Sequence, residues 1–261
     1  MATSNKNMGM NPFVNRKVQR VDRITKDSTN QQIKKRNAKS EAPSFTNYRK
    51  LLDTVYLQNP ILSLLFEMQS LTGLRFSDAS TLIRSDFYDE DTNRFKPYFD
   101  FTPLKTYSLA YSKIANSEKG KTKTHDEIDS LARTEAMLTI FTNDRIREVI
   151  DEVESLNGHI SSEFLFASEH RFSAGNPPSI QYANRLLKKL HKSHPNLGFD
   201  ETGTHSFRKY FATSMVELND ANIVQVQALL GHKSVETTVK YVSKKKEDLQ
   251  KLIKEMKTEA A

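Results

Sequence analysis

From His205 to Tyr241 the chain reads HSFRKYFATSMVELNDANIVQVQALLGHKSVETTVKY, and four side chains in this stretch suit one chemistry. His205 and Arg208 stand three apart, His232 follows a Leu-Gly pair, and Tyr241 comes nine residues later. A guanidinium grips the non-bridging oxygens of a phosphodiester with paired hydrogen bonds and holds the negative charge that develops there. A phenol can attack phosphorus once a neighbouring base takes its proton. Taken singly these residues are ordinary, because a helical histidine is more often structural and a tyrosine at helical spacing more often packs in a core. In this order they point to a phosphodiester attacked by Tyr241.

The elements that must position them can be read from caps and periodicity. His205 and Arg208 lie one turn apart at the start of a helix, so they share a face near exposed amide groups that favour an anion. Gly231 fits a helix C-cap, which sets His232 at the mouth of the next turn, before Ser234 starts the helix carrying Tyr241. Upstream, a helix begins near Phe45 and another at Asn59-Pro60, the latter with Ile61, Leu64, Leu65, Met68 and Leu71 on its apolar face and Gly73 at its end. Ser77 is the expected cap of the next helix, with Asp78 in its first turn, so Arg75 falls in the joint between the two.

From Leu82 to Phe101 short apolar alternations broken by DEDTN at 89–93 predict two antiparallel strands, and AMLTIFT at 136–142 predicts a third. The polar, Lys-rich segment from about Lys105 to Thr134 reads as a long hairpin insertion between them. Asn143 caps an amphipathic helix bearing Ile146, Val149, Ile150, Val153 and Leu156, and a further helix carries Ile180, Ala183, Leu186, Leu187 and Leu190. The fold class expected is α+β and mainly α, with a small three-stranded antiparallel sheet.

Composition narrows the rest. The 261 residues, 37% hydrophobic and 27% charged, suffice for one sizeable core. No apolar run reaches the roughly 18 residues of a membrane span, and the polar start lacks the apolar core of a signal peptide, so a cytoplasmic protein without membrane contact is expected. Zero cysteines exclude disulfides, thiolate catalysis and Cys-ligated metal. The net charge of +7 is unevenly distributed: residues 1–40 hold ten Lys and Arg against two Asp. A basic arm of this kind is either a solvated tail or a segment laid along a polyanion such as DNA. The division expected is a basic arm over 1–44, one domain over 45–245, and an amphipathic helix over 246–261 with Leu249, Leu252, Ile253 and Met256 on one stripe.

The ordered set resembles the tyrosine recombinase (phage integrase) family, whose signature is an Arg in a TGLR-like turn, a Lys in a β-hairpin, H-x-x-R, LGH and a nucleophilic Tyr. Here TGLRFSD supplies Arg75, with Asp78 at the acidic position, HSFR supplies His205 and Arg208, LGHKS supplies His232, and TTVKY supplies Tyr241. The resemblance implies that Tyr241 attacks the scissile phosphate to give a 3′-phosphotyrosyl protein and a free 5′-hydroxyl. It further implies that Arg75 and Arg208 clamp the phosphate, His232 donates a hydrogen bond to it, and His205 accepts the phenol's proton. The family lysine protonates the leaving 5′-oxygen. Lys105, in FTPLKT, 30 residues after Arg75 and at the end of an expected strand, is the preferred candidate, with Lys121 and Lys123 at the tip of the insertion as alternatives.

The covalent bond conserves the phosphodiester energy, so no cofactor is implied. The partners implied are double-stranded DNA with specific recombination sites, further copies of the chain in a homo-tetramer, and accessory DNA-bending proteins. With only the arm ahead of the domain, the chain looks like the compact form of the family that has no core-binding domain, in which the arm supplies part of the DNA grip. Two readings compete with site-specific recombination: DNA relaxation of the type IB topoisomerase kind, and DNA binding without cleavage. An intact set ending in a phenol argues against the second.

Overall fold

A computed structural model describes residues 40–168, 170, 175–197, 199 and 202–242. The basic arm up to residue 39 and the apolar stripe over 246–261 lie outside the described residues. No helix among those described is long and apolar enough to cross a membrane.

Helix α1, Phe45–Tyr56, starts where the Ser44 side chain accepts from the Asn47 amide, and buries Leu51, Leu52 and Val55. Helix α2, Pro60–Thr72, is capped by Asn59, whose Oδ1 accepts from the Leu62 amide at 2.8 Å, and stops at Gly73 in the left-handed conformation, φ 68°. Because α2 is buried on nearly every side, it forms the centre of the core, with Leu62, Leu65, Phe66 and Met68 fully enclosed. Helix α3, Phe76–Ala79, follows at once. Arg75 occupies its N-cap position and Ser77 lies inside it, so the cap expected at Ser77 moves two residues upstream.

Helix α4, Arg84–Phe87, replaces the first expected strand. Asp86 Oδ2 accepts from the Ile83 amide at 2.9 Å, which closes a helical turn. The buried residues Leu82, Ile83, Phe87 and Tyr88 accordingly follow helical rather than alternating spacing. Of the strand pairing expected around DEDTN only a single bridge forms, Tyr88 with Phe95. The sheet among the described residues is therefore two-stranded, not three-stranded: β1, Tyr98–Phe101, runs antiparallel to β2, Leu138–Phe141, with Tyr98 opposite Phe141 and Phe101 opposite Leu138.

The insertion between these strands is helical, not a β-hairpin. Helix α5, Leu104–Ala115, and helix α6, His125–Ala136, are joined through a 3₁₀ turn at Gly120–Thr122. A reciprocal cap starts α6: the Glu127 amide donates to Thr124 Oγ1 and the Thr124 amide to Glu127 Oε2. The two helices meet through the small or branched residues Ala110, Ile128 and Ala132, and through Tyr107, whose hydroxyl donates to Asp129. Asp129 also accepts from Arg133 Nε at 2.6 Å.

Helix α7, Asp144–Asn157, is capped by Asn143 and buries Ile146, Val149, Ile150 and Val153. Helix α8, Ile180–Ser193, buries Ala183, Leu186, Leu187 and Leu190. Helices α9, Ser206–Glu217, α10, Ile223–Leu230, and α11, Val235–Val242, complete the fold. Phe207 of α9 stacks on Phe66 of α2, ring centroids 4.1 Å apart and nearly parallel. Around α10 a second cluster joins Phe211, Ala212, Val226 and Leu230, with Tyr241 packed against it.

The joint after α2 has no room for a side chain. A Cβ on Gly73 would meet Phe211 Cδ1 at 2.6 Å, whereas one on Gly231, also left-handed at φ 62°, would meet Leu138 Cδ1 at 3.3 Å. Gly73→Ala combines backbone strain with overpacking and should destabilise the fold by about 1–3 kcal/mol, more than Gly231→Ala does. Urea titrations of both variants check this, and an equal loss would contradict it.

Candidate active site

The site is assembled where α2, α9, α10 and α11 converge. Arg208, in the first turn of α9, is only 1% exposed. Its Nη1 donates to the carbonyl of Gly73, and its Nη2 donates to the carbonyl of Leu230 at 2.9 Å and to His232 Nε2 at 3.0 Å. Each carbonyl belongs to the C-terminal end of a helix, where the backbone dipole is negative. Among the described residues, Arg208 Nε has no hydrogen-bond partner. Burial first, and then the nearby Arg75 charge, lower the Arg208 pKa to about 10, which still leaves it a cation at neutral pH.

His232 follows Gly231, whose left-handed turn ends α10 as its spacing implied. Its ring is buried, and Nδ1 lies 3.0 Å from Thr238 Oγ1 on α11. Nε2 faces the Arg208 guanidinium, which has only donors, and therefore accepts from it. Tyr241, three residues beyond Thr238, packs edge-on to His232, ring centroids 5.0 Å apart.

His205 stands at the N-cap position of α9, and its Nε2 shares a hydrogen bond with the Tyr241 hydroxyl, 36 residues away in sequence. Burial, then the positive charges of Arg208, Lys209, Arg75 and Lys105, lower its pKa to about 4. His232 is lowered to about 4 as well, by burial and then by Arg208, Arg75 and His205. Both imidazoles are thus neutral at pH 7.

Arg75 and Lys105 are brought in by Asp78, itself 2% exposed. Asp78 Oδ2 lies 3.7 Å from Arg75 Nη1, and Asp78 Oδ1 accepts from the Leu104 amide at 3.2 Å, at the start of α5. Lys105 therefore lies in the first turn of a helix, not at the end of a strand: the strand stops at Phe101, and Pro103 precedes the helix. Lys105 is among the charges acting on His205, whereas Lys121, at the far turn, pairs with Glu118 at 2.6 Å. Lys123 closes that same turn.

Two residues not singled out from sequence also border the site. Lys209 is buried, donates to the Ser40 carbonyl and has its Nζ 6.0 Å from the Tyr241 ring centroid. Thr238 is completely enclosed beside His232. Its signal in the sequence was the spacing of three from Tyr241, which puts both on one helix face.

As a unit, the site offers guanidinium groups for an oxyanion, a phenol, and a neutral imidazole bonded to that phenol. A 58-residue segment, 22% of the chain, is 43% identical to a probable integrase/recombinase of Acholeplasma phage L2, and covers 19% of that protein. The fold resembles the crystal structure of XerA recombinase, with a TM-score of 0.55 and 16% identity over 86% of this chain and 68% of that one. It also resembles the Tn1549 transposon integrase solved in complex with transposon right end DNA, with a TM-score of 0.52 and 17% identity over 92% of this chain and 76% of that one. The family model described as the phage integrase family matches residues 44–248, most of the chain and every residue of the site, so the chain belongs to the phage integrase, or tyrosine recombinase, family.

Proposed function

We propose that the protein cleaves and rejoins double-stranded DNA at specific sites through a 3′-phosphotyrosine on Tyr241. The observation that carries this reading is the hydrogen bond between His205 Nε2 and the Tyr241 hydroxyl, inside a cluster of cations suited to a phosphate. In the proposed step the Tyr241 oxygen bonds to phosphorus, and its proton passes to His205. The bond from phosphorus to the 5′-oxygen breaks, and Lys105 protonates that oxygen as it leaves. Arg75 and Arg208 hold the charge on the non-bridging oxygens. A 5′-hydroxyl then attacks the phosphotyrosine, which reseals the strand and returns the phenol. DNA as substrate is supported by the family and by the DNA held in the Tn1549 integrase structure.

Exchange between two duplexes requires four strand cuts, so a homo-tetramer is the working assembly on this reading. The basic arm over 1–44 would add a phosphate-backbone grip, and the apolar stripe over 246–261 would dock on a neighbouring copy. Whether the outcome is integration, inversion or resolution depends on the DNA sites.

Incubation with a suicide duplex carrying the recombination site should give a covalent protein–DNA adduct that Tyr241→Phe abolishes. In the same assay Lys105→Ala should slow adduct formation by about 10²- to 10⁴-fold, the range for loss of a general acid, while Lys123→Ala stays near the parent rate. The reverse order would transfer the acid's role to Lys123. Deleting residues 1–40 should weaken DNA binding and flatten its dependence on salt, and an unchanged salt slope would remove the arm from the interface.

Acid should also unfold the protein for a reason rooted in the site. His205 and His232 sit at about 4 against an ordinary 6.5, so the unfolded chain takes up their protons first as pH falls. The associated stability is fully present above about pH 6.5 and is lost as pH drops toward about 4. Denaturant titrations at pH 7 and pH 5 should reveal this loss, and His205→Gln should lose less; equal losses would contradict a buried neutral His205.

A further inference from the structure

His232 is held at both ring nitrogens, and the identity of its partners fixes where its proton sits. A guanidinium has only donors, so Nε2, 3.0 Å from Arg208 Nη2, must offer its lone pair. The ring's proton is then on Nδ1, and Thr238 Oγ1 at 3.0 Å accepts it. A ring protonated at Nε2 would set N–H against N–H at Arg208. Arg208 and Thr238 are fully buried and His232 nearly so, which makes an unmet donor or acceptor costly at any of the three.

Thr238 and Tyr241 occupy neighbouring positions on one face of α11. The helix that delivers the phenol to His205 therefore also delivers the hydroxyl that sets His232. A chain of contacts thus runs from α11 through Thr238 and His232 to the Arg208 guanidinium.

We propose that Thr238 is a positioning residue: it locks His232 in the Nδ1–H tautomer, so that Nε2 steers the Arg208 guanidinium beside Tyr241. In the DNA-free protein His232 Nε2 is thus engaged with Arg208. The catalytic consequence rests on the recombinase reading, whereas the tautomer is a property of the free protein and can be read without DNA.

The test uses the full chain with Thr238→Val, which removes the acceptor at nearly constant shape, and Thr238→Ser, which keeps it. With ¹⁵N-labelled histidine, long-range proton–nitrogen spectra near pH 7 should find His232 protonated at Nδ1 and bare at Nε2 in the parent and the Ser variant. The Val variant should lose that single state. On a saturating suicide duplex the Val variant should form the Tyr241 adduct about tenfold more slowly at unchanged DNA affinity, and Ser should restore the rate. A parent His232 protonated at Nε2, or a Val variant that keeps the parental tautomer, overturns the proposal. Equal slowing by Val and Ser also overturns it, because the hydroxyl would then not be the operative group. Should the parent form no tyrosyl adduct on any duplex, the recombinase reading fails while the spectra still decide the tautomer.

Discussion

A buried guanidinium constrains how the helices of this protein can be arranged. Removing a charged group from water costs several kcal/mol unless it is well bonded, and Arg208 is bonded to the carbonyls of Gly73 and Leu230. Both carbonyls lie at helix ends, and each end is turned by a left-handed glycine, Gly73 or Gly231. Helices α2 and α10 must therefore stop close together at Arg208, and the Phe66–Phe207 stack holds α9 against α2. Carbonyl oxygens orient a guanidinium without neutralising it. The Arg208 charge thus remains available to an anion, which a direct carboxylate pair at the same place would have reduced.

This arrangement explains why the residues that come together here could be picked out from sequence. His205 with Arg208, His232 after Leu-Gly, and Tyr241 nine residues on are local spacings, each set by a helix start or a glycine stop. The capped helices at Asn59-Pro60 and Asn143 were legible for the same reason, since a cap is a short-range signal. The segment from 104 to 136 was not. Its buried face rests on Ala110, Ile128 and Ala132, too few and too small to stand out among the lysines and acids around them. The Thr124 and Glu127 pair was the one strong helical signal there. Around Leu82 to Tyr88, large apolar residues at helical spacing imitated alternation over a stretch too short to separate the two periods. The spacing of Thr238 from Tyr241 was legible, but its importance depends on which nitrogen of His232 faces Arg208, which spacing does not give.

The helical insertion changes how a lysine can be supplied to the site. A residue at the tip of a β-hairpin can move with the hairpin, whereas Lys105 sits in the first turn of α5, one residue after an amide held by Asp78. The same carboxylate faces Arg75, so the proposed clamp and the proposed acid share one buried anchor. The other end of the insertion is tied in as well. Glu135 of α6 accepts from Lys233, the residue after His232, at 2.5 Å, and from Lys113 of α5 at 3.4 Å. Such partly exposed pairs contribute little stability, but they link the insertion to the loop that carries His232.

The electrostatics of the free site fit a reaction that waits for its substrate. Arg208, Lys209, Arg75 and Lys105 all disfavour a proton on His205, so in the free protein it is a neutral but weak acceptor for the phenol it touches. A phosphate entering among these cations would offset their field, making His205 more basic at the moment Tyr241 must give up its proton. The cations that hold the phosphate would therefore also time the proton transfer. On the proposed mechanism the phenol stays unreactive until DNA supplies the missing negative charge, a safeguard in a protein whose nucleophile would otherwise be activated without a strand to attack.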